Sequence, residues 1–128
     1  MLNTDIVSDR TAKIQLAAAL QEKQRRISEN KLLHYKPYKK QMKFHELGST
    51  IRERLFMAGN QLGKTIAGAA EMAMHLTGLY PEWWQGRRYK RPVVAWASGI
   101  TGETVRDTVQ RLLVGRTGEY GTGFIPKH

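Results

Sequence analysis

The fold predicted for this chain depends on one stretch, Leu55-Phe56-Met57-Ala58-Gly59-Asn60-Gln61-Leu62-Gly63-Lys64-Thr65. Residues 55–58 form a continuous apolar run of strand length, which is typical of a strand buried on both faces. Residues 58–65 match the phosphate-binding loop pattern, with Ala58 in place of the usual first glycine. The largely apolar stretch 64–77 predicts a buried helix that ends at Gly78. A strand, a loop and a helix in this order indicate nucleotide binding.

The chemistry of the loop assigns a role to several of its positions. Successive backbone N–H groups in a tight loop form a concave anion site, and the following helix directs its positive end at the same place. Gly63 lets the backbone approach phosphate oxygens, Lys64 supplies a positive charge, and Thr65 offers a hydroxyl to Mg²⁺. We therefore expect the loop to bind ATP and Mg²⁺ through Gly59, Asn60, Gln61, Leu62, Gly63, Lys64 and Thr65, with Thr65 next to the metal.

Gln41 lies 18 residues before Gly59 and is a second candidate nucleotide contact. A glutamine side chain carries both a donor and an acceptor, so it can pair with the N6 amine and N7 of adenine. Most glutamines are simply solvated. Both interpretations of Gln41 stay open at this point.

The second half of the chain predicts a further strand and helix. Residues 93–97 form another apolar run of strand length, and Thr101 can cap a helix that runs to about Val114 and ends at Gly115. This order indicates an α/β fold of the P-loop NTPase type, a parallel sheet flanked by helices. Two strands are too few for such a sheet. We therefore expect an incomplete fold, its N-terminal part only.

The N-terminal region predicts helices without a strong core. Residues 8–30 form a helical pattern with a thin, alanine-rich apolar stripe, whereas 31–40 is a poor helix because Pro37 disfavours it. A short helix is expected over 39–47, with Gly48 just beyond it in the left-handed conformation. We divide the chain into a basic helical segment, 1–36, and the N-terminal part of a P-loop ATPase domain, 37–128.

Composition limits the function classes. The 128 residues carry a net charge of +10, are 41% hydrophobic and include no cysteine. These values exclude disulfides and thiolate zinc sites and favour a cytoplasmic protein with a polyanionic partner. The sequence has no secretion signal and no apolar run of bilayer length, so no membrane partner is expected.

Several other residues admit a plain interpretation beside a functional one. The stretch 23–43 holds eight basic residues and one acidic residue, and with 87–91 it could contact DNA phosphates or be a solvated basic face. Trp83 and Trp84 are expected to pack their loop onto the sheet. The four histidines share no metal-ligand spacing, and Glu71 is interpreted as an ordinary helix residue.

Three stretches together resemble the large terminase subunit of tailed bacteriophages: 56–65, 77–87 with its Tyr-Pro-Glu-Trp-Trp sequence, and 91–96. The tail 121–127 is similar to that family too. The resemblance implies an ATP-driven motor that threads duplex DNA into a capsid, with an N-terminal ATPase domain and a C-terminal metal-dependent nuclease. The partners it implies are double-stranded DNA, a small terminase subunit, the portal protein and further copies in a homo-oligomeric ring, in the cytoplasm of the bacterial host.

The resemblance also assigns residues. Gln41 matches the glutamine that contacts adenine in that family, and Gly63, Lys64 and Thr65 match its phosphate-loop positions. Asn60 stands where some relatives carry an arginine finger, so the finger would come from a neighbouring subunit or from elsewhere in this chain. The candidates in this chain are Arg87, Arg88 and Arg106.

No apolar strand ending in an Asp-Glu pair occurs in the sequence, so the acid that would activate water is absent and the catalytic residue is unknown. We therefore expect these residues to bind ATP weakly and to hydrolyse almost none. Two alternatives remain open. One is another P-loop enzyme such as a small nucleotide kinase, and the other is a non-enzymatic, truncated module that binds DNA or a partner subunit.

Overall fold

The computed structural model describes residues 2–127, and its regular secondary structure is helical. No helix in this range combines the length and the apolar character needed to cross a membrane. Near the C-terminal end, two short α-helices flank a π-helical segment, Val105–Gln110. The α-helices are α1 (Leu2–Glu29), α2 (Lys31–His34), α3 (Lys39–Leu47), α4 (Lys64–Thr77), α5 (Gly102–Thr104) and α6 (Arg111–Leu113).

The predicted α/β fold with a parallel sheet is wrong. Residues 2–127 contain no strand, and their β-type pairing is limited to an isolated antiparallel bridge between Thr122 and Pro126. The segments 55–58 and 93–97, predicted as buried strands, have no regular secondary structure. The described part of the chain is a helical domain.

The exposure of these two segments explains the error. Leu55 and Met57 are 82% and 80% exposed, and Val94 and Trp96 are 91% and 92% exposed. A strand exists only when its N–H and C=O groups pair with a neighbouring strand. Neither segment makes a backbone–backbone hydrogen bond within residues 2–127. Apolar character alone therefore does not identify a strand, because it does not say what the residues pack against.

The helix predictions around the loop are confirmed. α3 and α4 have the predicted bounds, and Gly78 ends α4 in the left-handed region with φ 72°. Gly48 is a correction, because its φ of −62° is right-handed. The chain continues there into a further turn, and a Cβ on Gly48 would lie 2.8 Å from Nη1 of Arg54. The space beside Gly48 is thus taken by the Arg54 guanidinium, and Gly48 does not serve a left-handed backbone.

The outer helices agree with expectation in part. α1 covers most of the predicted helix and begins earlier, while α2 lies where a poor helix was expected and is capped by the Asn30 side chain, which accepts from Leu33 N at 3.2 Å. Thr101 caps α5 as predicted, with Oγ1 accepting from Thr104 N at 3.2 Å. The helix after it was expected to be continuous, but its middle turns are π-helical.

The core lies against the alanine-rich face of α4. Ala70, Ala73 and Met74 have no exposed surface, and the small alanine side chains let α2, α3 and α6 approach closely. Trp84 is 4% exposed and stands 5.2 Å, ring to ring, from His45 of α3. The prediction that the tryptophans pack their loop is therefore confirmed for Trp84. Its aromatic neighbours outside the loop, His45 and His75, belong to α3 and α4 and not to a sheet.

Candidate functional site

The loop before α4 has alternating backbone conformations. Gln61 has φ 60° and Gly63 has φ 71°, whereas Leu62 between them is not left-handed. Gln61 is the one non-glycine residue with positive φ in the part of the chain that the structure describes. Such a conformation costs an L-residue roughly 1–2 kcal/mol, and strain of this kind concentrates at functional sites. Alternation of this type turns successive N–H groups toward one side and forms an anion-binding concavity.

The N–H groups of the loop are available to a ligand. Among residues 2–127, none of the backbone N–H groups of residues 60–66 donates to a backbone carbonyl. Those at the start of α4 are open because the first turn of a helix leaves its donors without intrahelical partners. Residues 60–66 also line a concave pocket of about 500 Å³, a size that suits a small-molecule ligand.

Lys64 closes the loop on itself. Its ammonium group donates to the carbonyls of Ala58 at 2.5 Å and Gly59 at 2.6 Å, which ties the end of the loop to its beginning. A lysine has three N–H donors, so these bonds leave one for an anion. Thr65 is exposed in the first turn of α4 and lines the same pocket.

The N-terminal end of α3 packs directly against the loop. Gln41 is 2% exposed; its Oε1 accepts from Tyr38 N at 3.2 Å, and its Nε2 donates to Gly63 O at 3.0 Å. The Tyr38 hydroxyl donates to the carbonyl of Leu62. The structure thus brings Gln41 to the loop, with both ends of its amide bonded to protein. Its contact with adenine stays a prediction.

Behind the loop, a buried ion-pair cluster joins α3 to α4. Glu71 of α4 accepts from His45 Nδ1 at 2.7 Å and from the guanidinium of Arg54, and His75 Nε2 lies 3.5 Å from the same carboxylate. His45 Nε2 bonds in turn to the Tyr35 hydroxyl at 3.0 Å. Because an ionised carboxylate only accepts, His45 Nδ1 must be the donor. The cluster fixes α3 relative to the helix that carries the loop.

The pKa of Glu71 reflects this arrangement. Burial alone would raise the pKa of its carboxyl group, but the hydrogen bonds from His45, His75 and Arg54 outweigh burial and lower the pKa well below its usual range. Burial also raises the pKa of the Tyr35 phenol, with smaller contributions from Tyr38 and the Glu71 charge. Glu71 is therefore an ionised, paired carboxylate rather than the ordinary helix residue that the sequence predicted.

The candidate arginine fingers lie outside the loop pocket. None of Arg87, Arg88 and Arg106 is among the residues that line it in the described chain. Arg88 lies over the Tyr80 ring at 5.3 Å, and Arg106 pairs with Asp107 at 2.8 Å. Residues 2–127 also hold no group of three or more His, Cys, Asp or Glu side chains that could bind a metal ion. The origin of an arginine finger stays a prediction.

Sequence reasoning missed Tyr38 and the Glu71 cluster. A lone acid on the face of α4 that carries Ala67, Ala70 and Met74 was a usable signal, because a charge on an apolar face needs a buried partner. For Tyr38 there was no comparable signal, since it meets Leu62 across 24 residues of sequence. A contact of that kind becomes visible only in three dimensions.

Comparison with known proteins defines the class to which this helical domain and its loop belong. A family model described as the N-terminal part of the T4likevirus-type terminase large subunit matches residues 55–128, more than half of the chain. The chain therefore belongs to the terminase large subunit family.

One curated relative is the large terminase subunit of Salmonella phage P22. The two sequences are 44% identical over an alignment 129 positions long, which spans 89% of this chain and 26% of the relative. The chain thus spans about a quarter of the length of that protein. No solved structure matches it.

A pair of glycine substitutions tests the loop geometry. Gly63→Ala should lower the free energy of unfolding by about 1–2 kcal/mol, because alanine would have to adopt the left-handed conformation of this position. Its Cβ would also lie 2.7 Å from the Tyr38 hydroxyl and from Gln41 Nε2. Gly68→Ala, inside α4 with nothing within 4 Å of its Cβ, should instead stabilise by about 0.5–1 kcal/mol. Urea denaturation measures both. Equal effects of the two substitutions would contradict this geometry.

A second prediction concerns pH. The pKa of Glu71 is lower in the folded chain than its ordinary value of 4.5. The stability that the ionised carboxylate contributes to the folded chain is therefore present above about pH 4.5 and is lost as the pH falls further. Glu71→Gln should destabilise the chain by about 3–5 kcal/mol at neutral pH, because it leaves Arg54 uncompensated, and should flatten the loss of stability in acid. Denaturation between pH 3 and pH 7 measures both effects, with exposed Glu53→Gln as the control. An unchanged acid profile in Glu71→Gln would refute this assignment.

Proposed function

We propose that residues 58–65 bind the triphosphate of ATP together with Mg²⁺, within a terminase large subunit whose ATPase packages DNA. The observation that carries the proposal is the left-handed backbone at Gln61 and Gly63 on either side of Leu62, which leaves the loop N–H groups open toward one pocket. The family membership of the chain supports it independently. The proposal does not depend on a sheet, since it rests on the loop and on α4.

Different residues of the loop would contact different parts of the ligand. The backbone N–H groups of Asn60, Gln61, Leu62 and Gly63 would donate to phosphate oxygens, together with those of the first turn of α4. The ammonium group of Lys64, held in place by two carbonyls, would direct its third N–H at the same oxygens. The Thr65 hydroxyl would hold Mg²⁺, and Gly59 would let the backbone turn tightly where it enters the loop.

Bound ATP would supply a phosphoanhydride, and Mg²⁺ would offset negative charge on its outer phosphates. The described residues that line the pocket offer backbone N–H groups and the Lys64 cation and include no carboxylate, so their chemistry fits an anionic ligand of this kind. Gln41 contacts the loop through its bonds to Tyr38 and Gly63, and its contact with a nucleotide base stays a prediction. We propose no catalytic acid from this chain, in keeping with the expectation of weak binding and little hydrolysis.

The parent protein extends the proposal. On family membership, we infer double-stranded DNA, a small terminase subunit and the portal protein as partners of the full-length subunit, in a homo-oligomeric ring in the host cytoplasm. The basic residues of 23–43 and 87–91 are the surface we assign to DNA phosphates. These contacts would be independent of base sequence, as a moving motor requires.

Substitution of Lys64 tests the proposal. Calorimetric titration of the chain with Mg·ATP should give a binding heat, and Lys64→Ala should weaken the affinity roughly 10- to 100-fold, the range expected for a charge-assisted hydrogen bond. Lys43→Ala removes an equal charge from an exposed position on α3 and serves as the control. Its affinity should stay close to that of the unmodified chain.

Three results would count against the proposal. Equal weakening by the two lysine substitutions would indicate general attraction of an anion to a basic protein. Absence of binding heat in the unmodified chain would favour the non-enzymatic, DNA- or partner-binding alternative. Phosphoryl transfer to a nucleoside monophosphate would instead favour the kinase alternative.

A further inference from the structure

The basic segment, residues 87–91, carries positive charge that no acidic side chain neutralises. Residues 83–102 include four basic residues and no acidic one. All four are exposed, and none takes part in an ion pair in the part of the chain that the structure describes. They are Arg87, Arg88, Lys90 and Arg91. At the end of α1, by contrast, Arg25 pairs with both Glu22 and Glu29.

The basic segment has no regular secondary structure, yet hydrogen bonds hold its backbone in place. Trp84 Nε1 donates to Arg87 O at 3.1 Å, and Tyr89 N donates to the Tyr80 hydroxyl at 3.0 Å. The Arg88 guanidinium donates to Trp84 O at 3.4 Å and lies over the Tyr80 ring. Arg88 is therefore engaged within the chain, and the other three cations of the segment are left for a partner.

The Tyr80 hydroxyl connects the basic segment to the buried cluster. It also bonds to His75 Nδ1 of α4 at 3.0 Å, and His75 Nε2 lies 3.5 Å from the Glu71 carboxylate. Gly86, just before the segment, packs so closely against α3 that a Cβ there would lie 2.6 Å from His45 O. The segment thus takes its position from α3 and α4.

Phosphates fit this surface better than bases do. Proteins that bind single strands use aromatic rings on which bases stack. Trp84 is only 4% exposed and packs against His45 and His75, and the Tyr80 ring lies under the Arg88 guanidinium. The segment therefore presents charge rather than an aromatic face. Duplex DNA carries about one negative charge per 1.7 Å of its axis, a density that suits closely spaced cations.

We propose that Tyr80 is a positioning residue for a DNA-contact surface, in which Arg87, Lys90 and Arg91 each bind a phosphate of duplex DNA. The inference rests on the proposed function and deepens its DNA contact. Tyr80 acts through the backbone of Tyr89 and does not touch the DNA itself. A backbone that is already held in place lowers the ordering cost of binding.

Duplex binding at several salt concentrations, measured by fluorescence anisotropy, tests the proposal. Each phosphate contact adds about 0.9 to the slope with which log affinity falls against log salt concentration. Arg87→Ala, Lys90→Ala and Arg91→Ala should each reduce the slope by that amount. Arg116→Ala is the matched control, since it removes an equal charge from an exposed position outside both basic stretches. Its slope should equal that of the unmodified chain.

Tyr80→Phe keeps the ring and removes the hydroxyl. It should weaken duplex affinity about 5-fold, the effect of one lost neutral hydrogen bond, and leave the salt slope unchanged because the cations remain. Tyr35→Phe removes a hydroxyl that bonds to His45 instead. This control should lower the unfolding temperature without changing duplex affinity.

Four results would overturn the inference. They are equal slope changes in Arg87→Ala and Arg116→Ala, unchanged duplex affinity in Tyr80→Phe, tighter binding of a single strand of the same sequence, and no binding of the duplex by the unmodified chain. A chain that binds Mg·ATP but no duplex would leave the proposed ATP site intact. A chain that binds the duplex as predicted but no Mg·ATP would refute that ATP site and support this surface.

Discussion

The ion-pair cluster around Glu71 is the constraint on which the arrangement of the site depends. A carboxylate in an apolar interior is tolerated only when charged or hydrogen-bonded partners accompany it. Glu71 takes those partners from α3, through His45, and from the segment after α3, through Arg54. The relative placement of α3 and α4 is thereby fixed. The opposite end of α3 carries Tyr38 and Gln41, so the same constraint holds these two residues at the loop.

The loop itself needs that support. It contains a left-handed glutamine, a conformation that costs free energy and persists only with support from neighbouring structure. The hydrogen bonds from α3 and the two carbonyl bonds of Lys64 supply it from both sides of the loop. An anion would then meet donors that are already in place, and little reorganisation would oppose its binding. The buried cluster thus positions α3, α3 supports the loop, and the loop presents the N–H groups of the proposed anion site.

The sequence predicted the local features of this domain well and its long-range features poorly. α3, α4 and the end of α4 at Gly78 follow from periodicity and helix-stop signals, whereas the nucleotide-binding role that a local motif gives the loop stays a prediction. The sheet prediction was wrong because 55–58 and 93–97 pair with no neighbouring strand within residues 2–127, and composition does not reveal such a neighbour. The bonds from Gln41 to Gly63, from His45 to Glu71 and from Arg54 to Glu71 join residues 17 to 26 positions apart, beyond the reach of pattern reasoning.

The central claim is that the backbone N–H groups at the start of α4 bind phosphate. Two-dimensional ¹H–¹⁵N NMR of the chain during titration with Mg·ATP tests it most directly, since each amide reports on its own surroundings. The largest, saturable shifts should fall on residues 61–66. Shifts confined to the basic residues 87–91 or to α1, with the loop amides unchanged, would contradict it.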